Sequence, residues 1–128
     1  MKYLGIDFGL KRIGLAVSDG QLASPLKIIE VRNLKDGVIQ IVELSKAGGF
    51  DKVIVGKPEG KMGQTIKRLI KTLKNAGLDV EEADETLSSQ KALVQAIESG
   101  SSKKKRKFND DIAAALILQN WLDEENLL

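Results

Sequence analysis

The sequence predicts an α/β fold in which helices layer onto a mixed β-sheet, with elements in the order βββαβαβαα. Three observations carry this. The opening segment alternates apolar and small or polar residues in runs broken by short turn signals, as antiparallel strands do. A later apolar run, Val53-Ile54-Val55, is short and unbroken, as in a strand buried on both faces. Between the later runs the apolar residues recur at helical spacing.

Residues 2–8 read as a strand, Gly9-Leu10-Lys11 as a tight turn, and residues 12–18 as the returning strand. Asp19-Gly20 signals the next turn, and residues 25–31 form a third, edge strand. Asn33 caps a helix to about residue 47, with Val38, Ile41, Val42 and Leu44 or Ser45 facing inward. Gly48-Gly49 ends that helix. Residues 52–56 form the buried strand. Residues 60–75 form a basic amphipathic helix carrying Ile66, Leu69, Ile70 and Leu73, closed by Ala76-Gly77. A strand over 78–83 and a helix over 87–99 follow. Residues 100–107 form a loop, and Asn109 caps a last helix from about 110 to 124. No repeat or linker interrupts the 128 residues, so residues 1–128 are expected to be one domain.

Strand side chains alternate between faces. Leu4, Ile6 and Phe8 share one face with Ile13, Leu15 and Val17 of the returning strand. The other face carries Gly5, Asp7, Gly14, Ala16 and Ser18. One face is bulky and apolar; the other is small and holds a single carboxylate. A carboxylate in the middle of a sheet is costly unless it is paired or binds metal. Small neighbours leave room for a ligand to approach the backbone. Asp7 is thus a candidate metal ligand, or else a cap of the hairpin turn or an ion-pair partner of Lys11 or Arg12.

Composition narrows the chemistry. Histidine and cysteine are both absent, which excludes thiol nucleophiles, histidine bases and the usual zinc sites. What remains is oxygen ligands, which suit Mg²⁺ or Mn²⁺. No apolar run reaches the roughly 18 residues of a membrane span. The N-terminus does not read as a signal peptide, so a cytoplasmic protein without membrane contact is expected.

Two further acidic segments sit at predicted element ends: Asp84-Glu85 after a short strand, and Asp110-Asp111 at the start of the last helix. Both positions also suit ordinary helix capping. Ala113, Ala114 and Ala115 let the last helix lie close to the sheet, bringing its start toward Asp7. Adjacent helical residues point about 100° apart, so Asp110 and Asp111 cannot both face one site. Three separated carboxylates could converge on a pair of divalent ions, which hydrolyse phosphodiesters without histidine or cysteine.

Net charge is only +2, so placement of charge matters more than its sum. Lys103, Lys104, Lys105, Arg106 and Lys107 run just before Asp110, and Lys61, Lys67, Arg68, Lys71 and Lys74 give the middle helix a positive face. Basic runs beside a metal site suit a phosphate backbone. Five aromatics are too few for a base-stacking platform, which favours recognition of backbone or shape.

The chain resembles the YqgF or RuvX-like family along nearly all its length. The opening run Gly5-Ile6-Asp7-Phe8-Gly9-Leu10-Lys11-Arg12-Ile13-Gly14-Leu15-Ala16-Val17-Ser18-Asp19 looks like that family's first hairpin. Val53-Ile54-Val55-Gly56-Lys57-Pro58 is similar to its strand ending in Val-Gly-Leu-Pro, and Asp84-Glu85-Thr86-Leu87-Ser88-Ser89 to its Asp-Glu-Arg segment. Asp110-Asp111-Ile112-Ala113-Ala114-Ala115-Leu116-Ile117-Leu118-Gln119 matches its closing helix, with the family aspartate falling on Asp110. Thr86 stands where the family carries arginine, and Lys57 where it carries leucine.

The resemblance implies an RNase H-like fold: a mixed five-stranded sheet, three antiparallel strands then two parallel, flanked by helices. It implies a Mg²⁺- or Mn²⁺-dependent nuclease with Asp7, Glu85 and Asp110 as catalytic metal ligands. Lys11, Arg12, Lys57 and the basic residues Lys103, Lys104, Lys105, Arg106 and Lys107 are then expected to hold the substrate. The expected reaction is 5′-end processing of pre-16S rRNA. The alternatives are resolution of four-way DNA junctions and an rRNA-binding assembly role with little catalysis. A monomer serves a single cut, whereas a junction with two symmetry-related strands calls for a homodimer. Trp121, Leu122, Leu127 and Leu128 are expected to finish the core rather than form a dimer seam.

Overall fold

A computed structural model of the chain describes residues 1–57, 63–84 and 109–126, with backbone alone at Lys57 and Asp84. The expected helix over 87–99 and the basic loop over 100–107 lie outside the described residues. The elements are β1 (Tyr3–Phe8), β2 (Arg12–Ser18), β3 (Ala23–Glu30), α1 (Leu34–Gly48), β4 (Lys52–Lys57), α2 (Gly63–Asn75), β5 (Val80–Asp84) and α3 (Asp110–Asn126).

The strands form one five-stranded sheet in the order β3-β2-β1-β4-β5. β1, β2 and β3 are antiparallel neighbours, while β4 is parallel to β1 and β5 parallel to β4. The mixed sheet of three antiparallel and two parallel strands is the one expected. Its parallel half requires crossovers, and α1 supplies the first, between β3 and β4.

Two strand starts differ by two residues from the sequence reading, each for a local reason. β3 starts at Ala23, with Ala23 opposite Ser18 and Pro25 opposite Ala16, where the register shifts between Leu15 and Ala16. Pro25 is tolerated because β3 is the outer strand of the described sheet and need not donate on its free side. β5 starts at Val80 rather than 78, because the Leu78 N–H donates to the Leu73 carbonyl and closes the end of α2. Gly77, with φ of 94°, makes that reversal possible.

α1 has both expected caps. Asn33 is extended, and its side chain accepts from the Asp36 N–H; Gly49, with φ of 67°, ends the helix. Ile41 and Ser45 are buried on its inner side, together with Gly37, while Val38, Val42 and Leu44 pack at the margin.

The sheet separates two apolar layers. On one side Leu4, Ile6, Phe8, Ile13 and Leu15 meet Ile41 of α1 and Ile66, Leu69, Ile70 and Leu73 of α2. On the other, Ala16, Ile54 and Ala83 meet Ala114, Ile117, Leu118, Trp121 and Leu122 of α3. Trp121 and Leu122 thus finish the core, as expected, while Leu127 and Leu128 lie outside the described residues.

Candidate functional site

The site is built where α3 begins over the small face of β1 and β2. Gly5 pairs with Ala16 and Asp7 with Gly14 across these strands. A Cβ on Gly5 would come within 2.8 Å of Leu118 Cβ and 3.0 Å of the Ala114 carbonyl oxygen. A Cβ on Gly14 would stand 1.9 Å from the Asp110 carbonyl oxygen. Both glycines therefore exist to admit the helix. The space that the small residues were expected to leave for a ligand is, over Gly5 and Gly14, occupied by α3 itself.

This contact fixes the position of Asp110. Its backbone rests on Gly14, and Gly14 is the cross-strand partner of Asp7. Neighbouring strands lie about 5 Å apart, so two carboxylate-bearing residues 103 positions apart in the sequence share one corner. Arg12, two residues before Gly14 and on the same face, completes the corner: its Nε donates to Asp110 Oδ2 at 3.1 Å. Both side chains remain about a third exposed, 33% for Arg12 and 29% for Asp110. The guanidinium, one expected partner for Asp7, makes an ion pair with Asp110.

Asp111 lies on a different side of the helix. It is buried, and its Oδ1 accepts from the Ile112 N–H at 2.9 Å. The Ala113 N–H donates to the Asn109 carbonyl, so the helix is hydrogen-bonded from Asn109 onward. Asp110 is the partly exposed acid of the pair.

The other expected site residues fall into two groups. Lys11 is exposed in the turn between β1 and β2, and its carbonyl accepts from the Val31 N–H at 2.9 Å. That bond ties the turn to the end of β3 beside the corner. Lys57 ends β4 opposite Asp84, at the sheet end where the chain also leaves β1 after Phe8. Glu85 follows Asp84 directly but lies outside the described residues, as do Lys103, Lys104, Lys105, Arg106 and Lys107. Among the described residues no three acidic side chains form a cluster, and Asp7 and Asp110 are the two of the expected acidic residues that the fold brings together.

One structural residue escaped the sequence reading. Gln119 Oε1 accepts from the Ala23 N–H at 2.8 Å, and its Nε2 donates to the Gln21 carbonyl at 3.1 Å. The amide ties α3 to the start of β3 and so holds the helix in register over the sheet. Its signals were a polar residue following the apolar run Ile112 to Leu118 and its place at the end of the closing motif.

Comparison with known proteins agrees with this geometry. A family model described as RuvX, Holliday junction resolvase, matches residues 1–124. A protein of Endomicrobium trichonymphae named "Putative pre-16S rRNA nuclease" is 35% identical over 133 residues, covering 95% of each chain. A protein of the same name from Thermosynechococcus vestitus is 38% identical, covering 94% of this chain and 86% of its own. Among solved structures, T. thermophilus RuvC bound to a Holliday junction superposes with a TM-score of 0.65 at 17% identity, covering 98% and 96% of the two chains. The fowlpox virus resolvase in complex with junction DNA gives 0.65 at 16% identity, covering 98% and 99%. The fold is therefore that of the RNase H-like resolvases.

Proposed function

The chain belongs to the RuvX family, and from that premise we propose that it is a divalent-metal-dependent endonuclease acting on structured nucleic acid, with 5′-end processing of pre-16S rRNA as its reaction. One observation carries the reading: the start of α3 rests on Gly14, which sets Asp110 beside Asp7 at the exposed end of the sheet.

The donors fit the group. Two carboxylates on rigid elements, with Glu85 next in the sequence after β5 as the third expected donor, would give an all-oxygen set suited to Mg²⁺ or Mn²⁺. Bound there, such ions activate a water and stabilise the leaving oxygen of a phosphodiester. Asp7 is held by the central strand and Asp110 by the helix, so neither carboxylate must be ordered at the moment of reaction. The Arg12 guanidinium restrains Asp110 and, being a third exposed, sets a positive charge beside the path of a backbone phosphate. Lys11 adds a second cation from the adjoining turn. Lys57 and the basic run from Lys103 to Lys107 serve as further phosphate contacts. The rRNA substrate is preferred to junction DNA because the relatives bearing the rRNA name share about twice the identity of the junction-bound resolvases.

The deciding experiment is cleavage of a labelled pre-16S 5′-leader RNA and a four-way DNA junction by purified protein with Mg²⁺ or Mn²⁺, with EDTA and Asp7→Asn as controls. The reading expects RNA cleavage that EDTA abolishes and Mg²⁺ restores. Changes to residues that only hydrogen-bond to metal ligands cost about 10–100-fold, so loss of a ligand should slow cleavage by more than about 100-fold. Asp7→Asn should still bind RNA, since it removes a negative charge. Junction cleavage alone would make the protein a resolvase. Binding without cleavage would make it an assembly factor, and an Asp7→Asn variant as active as wild type would remove the metal site.

A further inference from the structure

Helix α2 lies on the opposite side of the sheet from the candidate site. Residues 63–75 carry Lys67, Arg68, Lys71 and Lys74 and no acidic residue. Ile66, Leu69, Ile70 and Leu73 bury its inner side, and the four cations are exposed. Lys67, Lys71 and Lys74 recur every three or four residues, so they form one stripe about 10 Å long at 1.5 Å per residue.

The stripe differs from three cations elsewhere on the molecule. Arg12, Arg32 and Lys52 each lie against a carboxylate. Among the described residues Lys67, Lys71 and Lys74 make no ion pair. They line a groove with Ile70, Asn75 and, across from them on β5, Glu82, whose single carboxylate leaves the groove net positive. Three like charges in line repel one another, and a polyanion relieves that repulsion. A second copy of this chain docked helix to helix would instead set four positive charges against four with no acid between them.

The placement suits a long substrate. α2 starts six residues after β4 ends, and β4 ends at the same end of the sheet where Asp7 and Asp110 meet. A substrate that extends beyond the reacting phosphate carries further phosphates for the groove to hold.

We propose that the Lys67–Lys71–Lys74 stripe of α2 is a second docking track for the phosphate backbone of structured RNA, remote from the cleavage chemistry. The proposal rests on the nuclease reading and extends its substrate contact to the far side of the sheet. Contacts remote from the reacting phosphate strengthen ground and transition states alike, so they lower KM without raising the rate at saturation.

The test compares wild type, Lys67→Ala/Lys71→Ala/Lys74→Ala and the charge-preserving Lys67→Arg/Lys71→Arg/Lys74→Arg. Binding of a fluorescein-labelled pre-16S leader RNA hairpin is titrated between 50 and 200 mM salt, and cleavage is followed in single turnover at saturating protein. Each phosphate contact contributes about 0.9 to the salt slope on a duplex, so three contacts make wild-type affinity fall about 40-fold more than that of the alanine variant over this range. Saturating single-turnover rates should agree for all three proteins, and the arginine variant should keep the wild-type slope. An alanine variant with the wild-type slope and affinity overturns the track. So does a slope change seen with a four-way DNA junction and not with RNA. A saturating rate that falls with the alanines also overturns it, because the stripe would then act on the chemistry. If the wild type neither binds nor cuts the RNA, the nuclease reading fails and the track with it. If it cuts while the alanine variant binds identically, the track alone fails.

Discussion

At the scale of single residues, Gly14 has the most consequential environment. No positive φ requires glycine there; the reason is the helix backbone pressed against its Cα, 1.9 Å from where a Cβ would stand. Gly14→Ala must push the start of α3 off the sheet and carry Asp110 away from Asp7. Overpacking costs roughly 1–3 kcal/mol, occasionally more, and contact with rigid backbone sets this case at the upper end. Urea denaturation measures it. A change inside the ~0.5 kcal/mol scatter of ordinary surface substitutions would mean that the helix does not bear on the strand. The alternation of small residues was visible in the sequence, but what filled the space was not. A glycine reads the same whether a ligand or a helix lies above it.

At the scale of elements, the caps make the fold's boundaries legible. Asn33 accepts from the Asp36 N–H at 2.8 Å, and Asp36 Oδ2 accepts from the Arg32 N–H at 2.9 Å, so the two side chains close the start of α1 reciprocally. That backbone bond, helped by the Gln40 side chain and the Arg32 charge, holds the Asp36 carboxyl below its ordinary value. A depressed folded-state pKa stabilises the fold above the unfolded value of 3.8, and the contribution is lost as pH falls through the lower folded value. Thermal melts of wild type and Asp36→Asn should differ by a constant amount near neutrality and converge below pH 3.8. A gap that persists in strong acid would assign the effect to shape rather than charge. Where an end depends on bonds rather than residue type, the sequence reading slipped. β5 begins two residues late because Leu78 is still engaged by α2, and no composition signal marks that.

At the scale of the whole molecule, the last helix is the element that makes a site out of a sheet. α3 packs across β1, β2 and β3, and Gln119 anchors it to Ala23, 96 residues earlier in the chain. Gln119→Ala leaves the Ala23 N–H without that acceptor and frees the helix from the β3 edge. The expected cost is about 1–2 kcal/mol in urea denaturation, with faster amide exchange at Ala23. Unchanged exchange at that amide would show that the edge holds without the helix. Charge is also organised at this scale. A net +2 conceals a helix with four cations and no acid, set on the other side of the sheet from the acidic corner.

The sequence by itself determined the element order, the mixed sheet, the bulky and small faces of the opening hairpin, and the family. These follow from periodicity, turn residues and motif, all of which are local or carried in short runs. It also named Asp7 and Asp110 one by one. Only the tertiary structure decided that they are neighbours, that Arg12 holds Asp110, and that Asp111 turns inward. Each of those depends on where α3 comes to rest. That position is set by backbone contact at Gly5 and Gly14 and by the Gln119 anchor, interactions between residues about a hundred positions apart that no local pattern encodes.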